Sequence, residues 1–332
     1  MPASHNISSN RRSYNKFVAN EMMEDFALRF TARRARKWPY ARIAGTALGI
    51  VSFMVLEAIG GAITLNYGFV NAAWAIAALV AVIFISGLPI SYYAARDGVD
   101  IDLLSRGAGF GYVGSTIASL IYASFTFIFF ALEAAIMSMA LELLLGIPLY
   151  IGYAISALIV LPLVTHGIAY ISRFQVWSQP VWLVLQLIPL FYVFTHPQSS
   201  LQEWLQFEGG AGSAAGSFNI LLFGGASAVL MSLVAQIGEQ ADILRFLPPK
   251  AENGSPAKWW TALLMAGPGW IVFGAGKLFL GSYLAFLLLK QGVLPAVASD
   301  PAHMYQDAFA YVFSNSTLGI VVATIFVVLS QL

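Results

Sequence analysis

Residues 69–93 read FVNAAWAIAALVAVIFISGLPISYY. No charge interrupts this stretch, and about 20 consecutive apolar residues suffice to cross a bilayer as a helix. Residues 174–194 and 308–332 are also free of charge. Over the whole chain of 332 residues, 59% are hydrophobic and 10% are charged. Soluble domains carry roughly 25% charged residues, so much of this surface is not built to meet water. The pattern predicts an all-α integral membrane protein.

Eight spans are expected, at about 43–66, 69–93, 111–145, 147–170, 174–194, 218–238, 259–289 and 308–332. Those at 111–145 and 259–289 exceed the minimum length, and Pro268 between Gly267 and Gly269 predicts a kink in the second. Residues 195–217 connect two spans, with a short interfacial helix around Trp204 and Phe207 and a flexible run at Gly209–Ser213. Before the spans, residues 1–40 form a cytoplasmic tail. Its first 20 residues are Ser- and Asn-rich, and 21–37 carry Met22, Met23, Phe26, Ala27 and Phe30 among charges, as in a surface amphipathic helix. The transmembrane domain is 41–332. Because the chain stops inside an apolar run, a longer protein is expected, cut after about eight helices.

Charge sets the orientation. Nine of the 17 Lys and Arg residues lie at or before Arg42. With the N-terminus in the cytoplasm, 15 of the 17 fall inside, all but Lys277 and Lys290, as the positive-inside rule requires. The expected location is the cytoplasmic (inner) membrane, multi-pass. Directly before a span, a basic cluster reads as a topology signal touching anionic lipid rather than a nucleic-acid site. There is no cysteine, the four histidines show no metal-ligand spacing, with His166 expected at the interface, and no nucleophile or cofactor motif points to an enzyme.

The informative residues are glycines and acids inside spans. The first span holds Gly45, Gly49, Glu57 and Gly60-Gly61; the sixth holds Gly224-Gly225, Ser232, Gln236 and Gly238. Gly-interrupted helices at matching places in two halves point to a transporter site, where unwound backbone offers carbonyls to a cation and amides to a solute. Close helix packing is the competing explanation. Four-residue steps put Gly49, Phe53 and Glu57 on one face of the first span. Thr126, Phe129 and Glu133 form a similar stripe on the third, and Ser232, Gln236 and Glu239 on the sixth. An aromatic ring stacks on a planar solute, and Ser, Gln and Glu bond its edge. Each buried acid has a second explanation, a structural partner such as Lys277 or a backbone amide. Glu142 is expected near the outer interface.

Three motifs resemble the nucleobase–cation symporter-1 family, the purine–cytosine and allantoin permeases, from about Ile43 to Leu332. The first is Leu48-Gly49 with Phe53 and Gly60-Gly61. The second is the 96–111 loop with Gly98, Leu103-Leu104, Arg106 and Phe110-Gly111, and the third is Ala241-Asp242-Ile243-Leu244-Arg245-Phe246. The resemblance implies the leucine-transporter-type fold of two inverted five-helix repeats. It implies a solute site between helices 1, 3, 6 and 8 and a Na⁺ or H⁺ site between helices 1 and 8. By position, Gly49 and Ser52 would offer carbonyls to the cation and Phe53 would border the solute. Phe129 stands where the family commonly has a stacking Trp. Ser232 and Leu233 stand where the cytosine permease has a Ser and a stacking Phe. Glu57 and Glu133 are not general features of the family, so the solute is either non-canonical or a cation held by carboxylates. The expected function is cation-coupled import of a small nucleobase-like solute, with no cofactor beyond the coupling ion. A transporter-like sensor module of a larger signalling protein is the alternative. Solute, choice of Na⁺ or H⁺ and oligomeric state stay open at this stage.

Overall fold

A computed structural model of the chain describes residues 28–165, 167–195, 198–210, 216–250 and 255–331. The tail at 1–20, most of the expected amphipathic helix, His166, the run 211–213 and the terminal Leu332 lie outside the described residues. Within the amphipathic stretch, residues 28–37 form turns rather than helix. Thr31 N–H bonds the Gly98 carbonyl, and Arg36 donates to the carbonyls of Ala95, Arg96 and Leu247. Tertiary bonds therefore hold this segment across the ends of two spans, where the spacing suggested a free surface helix.

The first span is two helices, α1 (Tyr40–Ile50) and α2 (Val55–Tyr67), separated by an unwound turn at 51–54. The second is α3 (Phe69–Asp97), which ends on Gly98 with φ +70°. That left-handed cap suits a residue without Cβ. A short α4 (Ile101–Ser105) is capped by Asp100, which accepts from Leu103 N–H, and a wide turn at 106–110 leads into α5. Helix α5 (Gly111–Leu145), the third span, has 35 residues. At 1.5 Å per residue it is about 50 Å long, well beyond a hydrocarbon core of about 30 Å. The fourth and fifth spans are α6 (Leu149–Thr165) and α7 (Ile168–Thr195). Their boundary falls at Gly167, φ +82°, so Arg173 lies inside α7 rather than before it.

Helix α8 (Gln198–Leu205) is the expected short connecting helix. Trp204 anchors it by packing on Phe69 and Tyr283 and donating to Ser282 Oγ at 2.9 Å. The sixth span changes pitch without unwinding: α9 (Ile220–Leu230) passes through a tight 3₁₀ segment at 231–236 into α10 (Ile237–Leu244). The seventh divides at Gly267-Pro268-Gly269 into α11 (Pro256–Ala266) and α12 (Trp270–Lys290). Short α13 (Pro295–Ala298) follows.

The last expected span, 308–332, is corrected. Helix α14 (Pro301–Phe313) ends at Ser314, whose φ is +51°, and α15 (Ser316–Gln331) starts after Asn315, which caps Leu318 N–H. Ser314 and Asn315 are small and uncharged, so the apolar pattern runs through a turn that their side chains favour.

Two features mark the bundle as a membrane body. Phe127, Phe194 and Leu221 are exposed on its outside, and five described helices are long and apolar enough to cross a membrane by length and composition. Inside, α2 lies against α12 at very short range. A Cβ on Gly60 would stand 1.9 Å from the Leu278 carbonyl oxygen, and one on Gly281 would stand 2.1 Å from that of Glu57. These glycines set the helix separation, which is the packing explanation realised for Gly60-Gly61.

Candidate functional site

The unwound turn of the first span frees backbone carbonyls in a place without water, where each needs a partner. Lys277 of α12 supplies it. Its Nζ donates to the carbonyls of Val51, Ser52 and Phe53 at 2.9, 2.8 and 2.7 Å. The same ammonium is 3.3 Å from Glu57 Oε1 and 5.4 Å from the centre of the Trp182 ring. Tyr305 of α14 donates to Glu57 Oε1 at 2.6 Å, and its hydroxyl also accepts from Gln186 Nε2 at 3.1 Å. Glu57 is wholly buried. For Glu57, then, the structural partner named from sequence is the one observed.

Glu133 behaves differently. Both its carboxyl oxygens are buried and have no hydrogen-bond partner. The group lies beside the backbone N–H of Met54 and Val55, at the N-terminus of α2, and feels the charges of Lys277 and Glu57. A helix N-terminus favours an anion there, but no described side chain neutralises it.

Glu133 borders a cavity of about 290 Å³ beside the unwound turn of the first span. Spans one, three and six line it with Gly49, Ser52 and Phe53, with Thr126, Phe129 and Glu133, and with Gln236 and Glu239. The third stripe lines the cavity whole, whereas the first lacks Glu57 and the sixth lacks Ser232. Ser52 Oγ donates to Gly49 O at 2.6 Å and lies 3.2 Å from Ser330 O on α15, so the first and eighth spans meet at this wall. Phe53 and Phe129 contact edge to face, with centroids 6.1 Å apart.

Three expected site residues are placed elsewhere. Glu57 is committed to Lys277 and Tyr305 behind the cavity wall. Ser232 is exposed and donates to its own helix at Val229 O, 2.7 Å. Leu233 is fully buried in the core formed by α2, α3, α9 and α12. The 3₁₀ segment turns the helix tighter than 100° steps assume, so Ser232 and Leu233 rotate away while Gln236 stays.

The fifth span was missed entirely. Gln175, Ser178, Gln179 and Trp182 of α7 form one side of the cavity. Their signal was polar residues at positions 175, 178, 179 and 186 of a charge-free span, a helical stripe with the same spacing as the others. Phe125 and Phe130 of α5 and Leu329 and Gln331 of α15 complete the wall.

No protein-family model matches the sequence, and no curated protein sequence matches it either. Among solved structures, the chain is similar to Mhp1, a nucleobase-cation-symport-1 family transporter in a closed conformation with bromovinylhydantoin bound. The match covers 92% of this chain and 73% of that one, at 18% identity and a TM-score of 0.53. An unwound first span, a 3₁₀ segment in the sixth and a cavity beside both agree with that likeness: this multi-pass membrane chain shares the leucine-transporter-type fold of the nucleobase-cation-symport-1 transporter Mhp1.

Proposed function

We propose that the chain is a secondary transporter that imports a small nitrogenous, nucleobase-like solute across the cytoplasmic membrane by alternating access, coupled to Na⁺ or H⁺. The observation that carries this reading is the position of the cavity. It lies beside the unwound turn of the first span and the 3₁₀ segment of the sixth, and polar and aromatic residues from five spans line it. A site beside an unwound helix is one that rocking of one helix group against another exposes to each side in turn. In this scheme Phe53 and Phe129 stack on the solute, while Thr126, Glu133 and Gln236 bond its edge. Gly49 and Ser52, together with Ser330 of the eighth span, border the coupling-ion position.

The N-terminus is cytoplasmic in this reading. Arg42 bonds Ser172 and Ala169 at the start of α7, and Arg36 bonds the carbonyls at the ends of α3 and α10. Several of the basic residues thus gather at one end of the bundle, as the positive-inside rule requires.

The test is uptake by the purified full chain reconstituted into liposomes. A labelled solute that stabilises the protein should accumulate under an inward Na⁺ gradient or an acid-outside gradient. Phe129→Ala should cut the rate about tenfold or more, the scale of one lost aromatic stack. Binding without uptake under either gradient refutes transport.

A further inference from the structure

We infer that the solute this cavity takes is a small organic cation rich in N–H donors, of the amidinium or guanidinium class, rather than a neutral base. The inference rests on the transport reading and specifies its substrate.

The first ground is charge. Glu133 and Glu239 line the cavity, and no lysine, arginine or histidine does. Lys277 lies nearby, but its ammonium already bonds three carbonyls and pairs with Glu57. Around Glu239 the closest groups of consequence are Gln236 and a second acid, Asp242, and Asp242 is the one that reaches Arg245. Two carboxylates therefore line one cavity, and the one ammonium that Glu133 feels, Lys277, is already paired with Glu57. An unmatched charge in a membrane interior is costly, and a cation supplied by the ligand offsets that cost.

The second ground is hydrogen bonding. The buried polar atoms of the cavity wall without partners are Glu133 Oε1 and Oε2, Gln236 Oε1, Gln175 Oε1, Trp182 Nε1 and both ends of the Gln331 amide. Gln236 and Trp182 are 2% and 7% exposed. An amide can turn either end to a ligand, but a carboxylate only accepts and an indole only donates. The wall is therefore short of donors, and its ligand must bring them. The third ground is shape. Phe53, Phe125, Phe129 and Trp182 line the same cavity, and aromatic rings suit a flat, delocalised cation.

The test uses isosteric pairs that differ only in charge: benzamidinium against benzamide, and methylguanidinium against methylurea. Thermal stabilisation of the purified full chain is measured in a choline-free, low-salt buffer at pH 7, with hydantoin in a separate arm. One cation of a pair should bind at least about tenfold more tightly than its neutral isostere, the scale of one charge-assisted hydrogen bond. Glu133→Gln should erase that preference. Glu239→Gln and Trp182→Phe should weaken binding in variants whose unliganded melting stays near wild type, which keeps the result readable where Glu133→Gln perturbs folding. Equal binding of cation and neutral isostere, cation binding unchanged in both Glu variants, or no binding by any cation overturns the inference. Hydantoin binding with gradient-driven uptake would then leave the transport reading standing. Cation binding without uptake would sink transport while the ligand class stands.

Discussion

Lys277 ties the seventh span to the first at several points. It satisfies three carbonyls of the broken first span and neutralises a wholly buried Glu57. Lys277→Met should destabilise the protein by about 3–5 kcal/mol, because an unpaired buried charge remains. The double change Glu57→Gln with Lys277→Met should cost clearly less than the sum of the two single changes, which denaturant unfolding in a double-mutant cycle measures. Additive costs would show that the pair is not coupled. A second residue-scale effect lies in the connection between the seventh and eighth spans. His303 bonds the Asp300 carboxylate, which also caps α14 at Ala302 N–H. That bond, with the charges of Asp300 and Glu142, holds the imidazole above its ordinary value of 6.5. A group raised on folding stabilises fully below its unfolded value and loses that contribution as pH climbs through the folded one. His303→Gln should therefore lower the melting temperature more at pH 6 than at pH 9. An equal loss at both would show that the ion pair contributes nothing.

At the scale of elements, the close approach of α2 and α12 positions Lys277 beneath the break. Gly281→Ala would place a methyl 2.1 Å from the Glu57 carbonyl oxygen, which is backbone and cannot swing aside. The helices must separate, at a cost of about 1–3 kcal/mol. Such separation also lengthens the Lys277–carbonyl bonds, so solute binding should weaken along with the melting temperature. Gly276→Ala serves as the control, because a Cβ there meets nothing within 4 Å. Comparable losses in both variants would mean that helix propensity, and not packing, governs α12. Glycine mattered in the first span for packing, whereas the break itself falls after Gly49, where Ser52 Oγ folds back onto Gly49 O and Lys277 takes the following carbonyls.

For the molecule as a whole, the cavity residues mark a direction. Gly49, Gln175 and Ser178 belong to the early parts of the first and fifth spans, and Glu239 to the late part of the sixth. All lie toward the end of the bundle where α1 begins. On the opposite side Tyr305 and Phe309 of α14 are fully buried against Phe326. The chain has no cysteine, so Ser178→Cys gives a single reporter. A membrane-impermeant maleimide should label it from the N-terminal side of the membrane, and solute should slow the labelling. Labelling from the opposite side alone would overturn this assignment of the access path.

The sequence by itself determined the class and the course of the chain. Uncharged runs long enough to span a bilayer, flanked by arginine and lysine, leave an all-α membrane bundle as the arrangement that satisfies backbone groups without water. It also marked the stripes on the first, third and sixth spans, since helical spacing fixes which residues share a face. It did not show which of two buried acids is paired. Glu57 and Glu133 look alike as letters in apolar runs, and only the packing of α12 brings the Lys277 ammonium into contact with Glu57 and leaves Glu133 without a side-chain partner. Nor did it show the rotation that removes Ser232 and Leu233 from the wall, or the entry of the fifth span into it. Those outcomes depend on a local tightening to 3₁₀ geometry and on long-range helix contacts, which no spacing along one helix encodes.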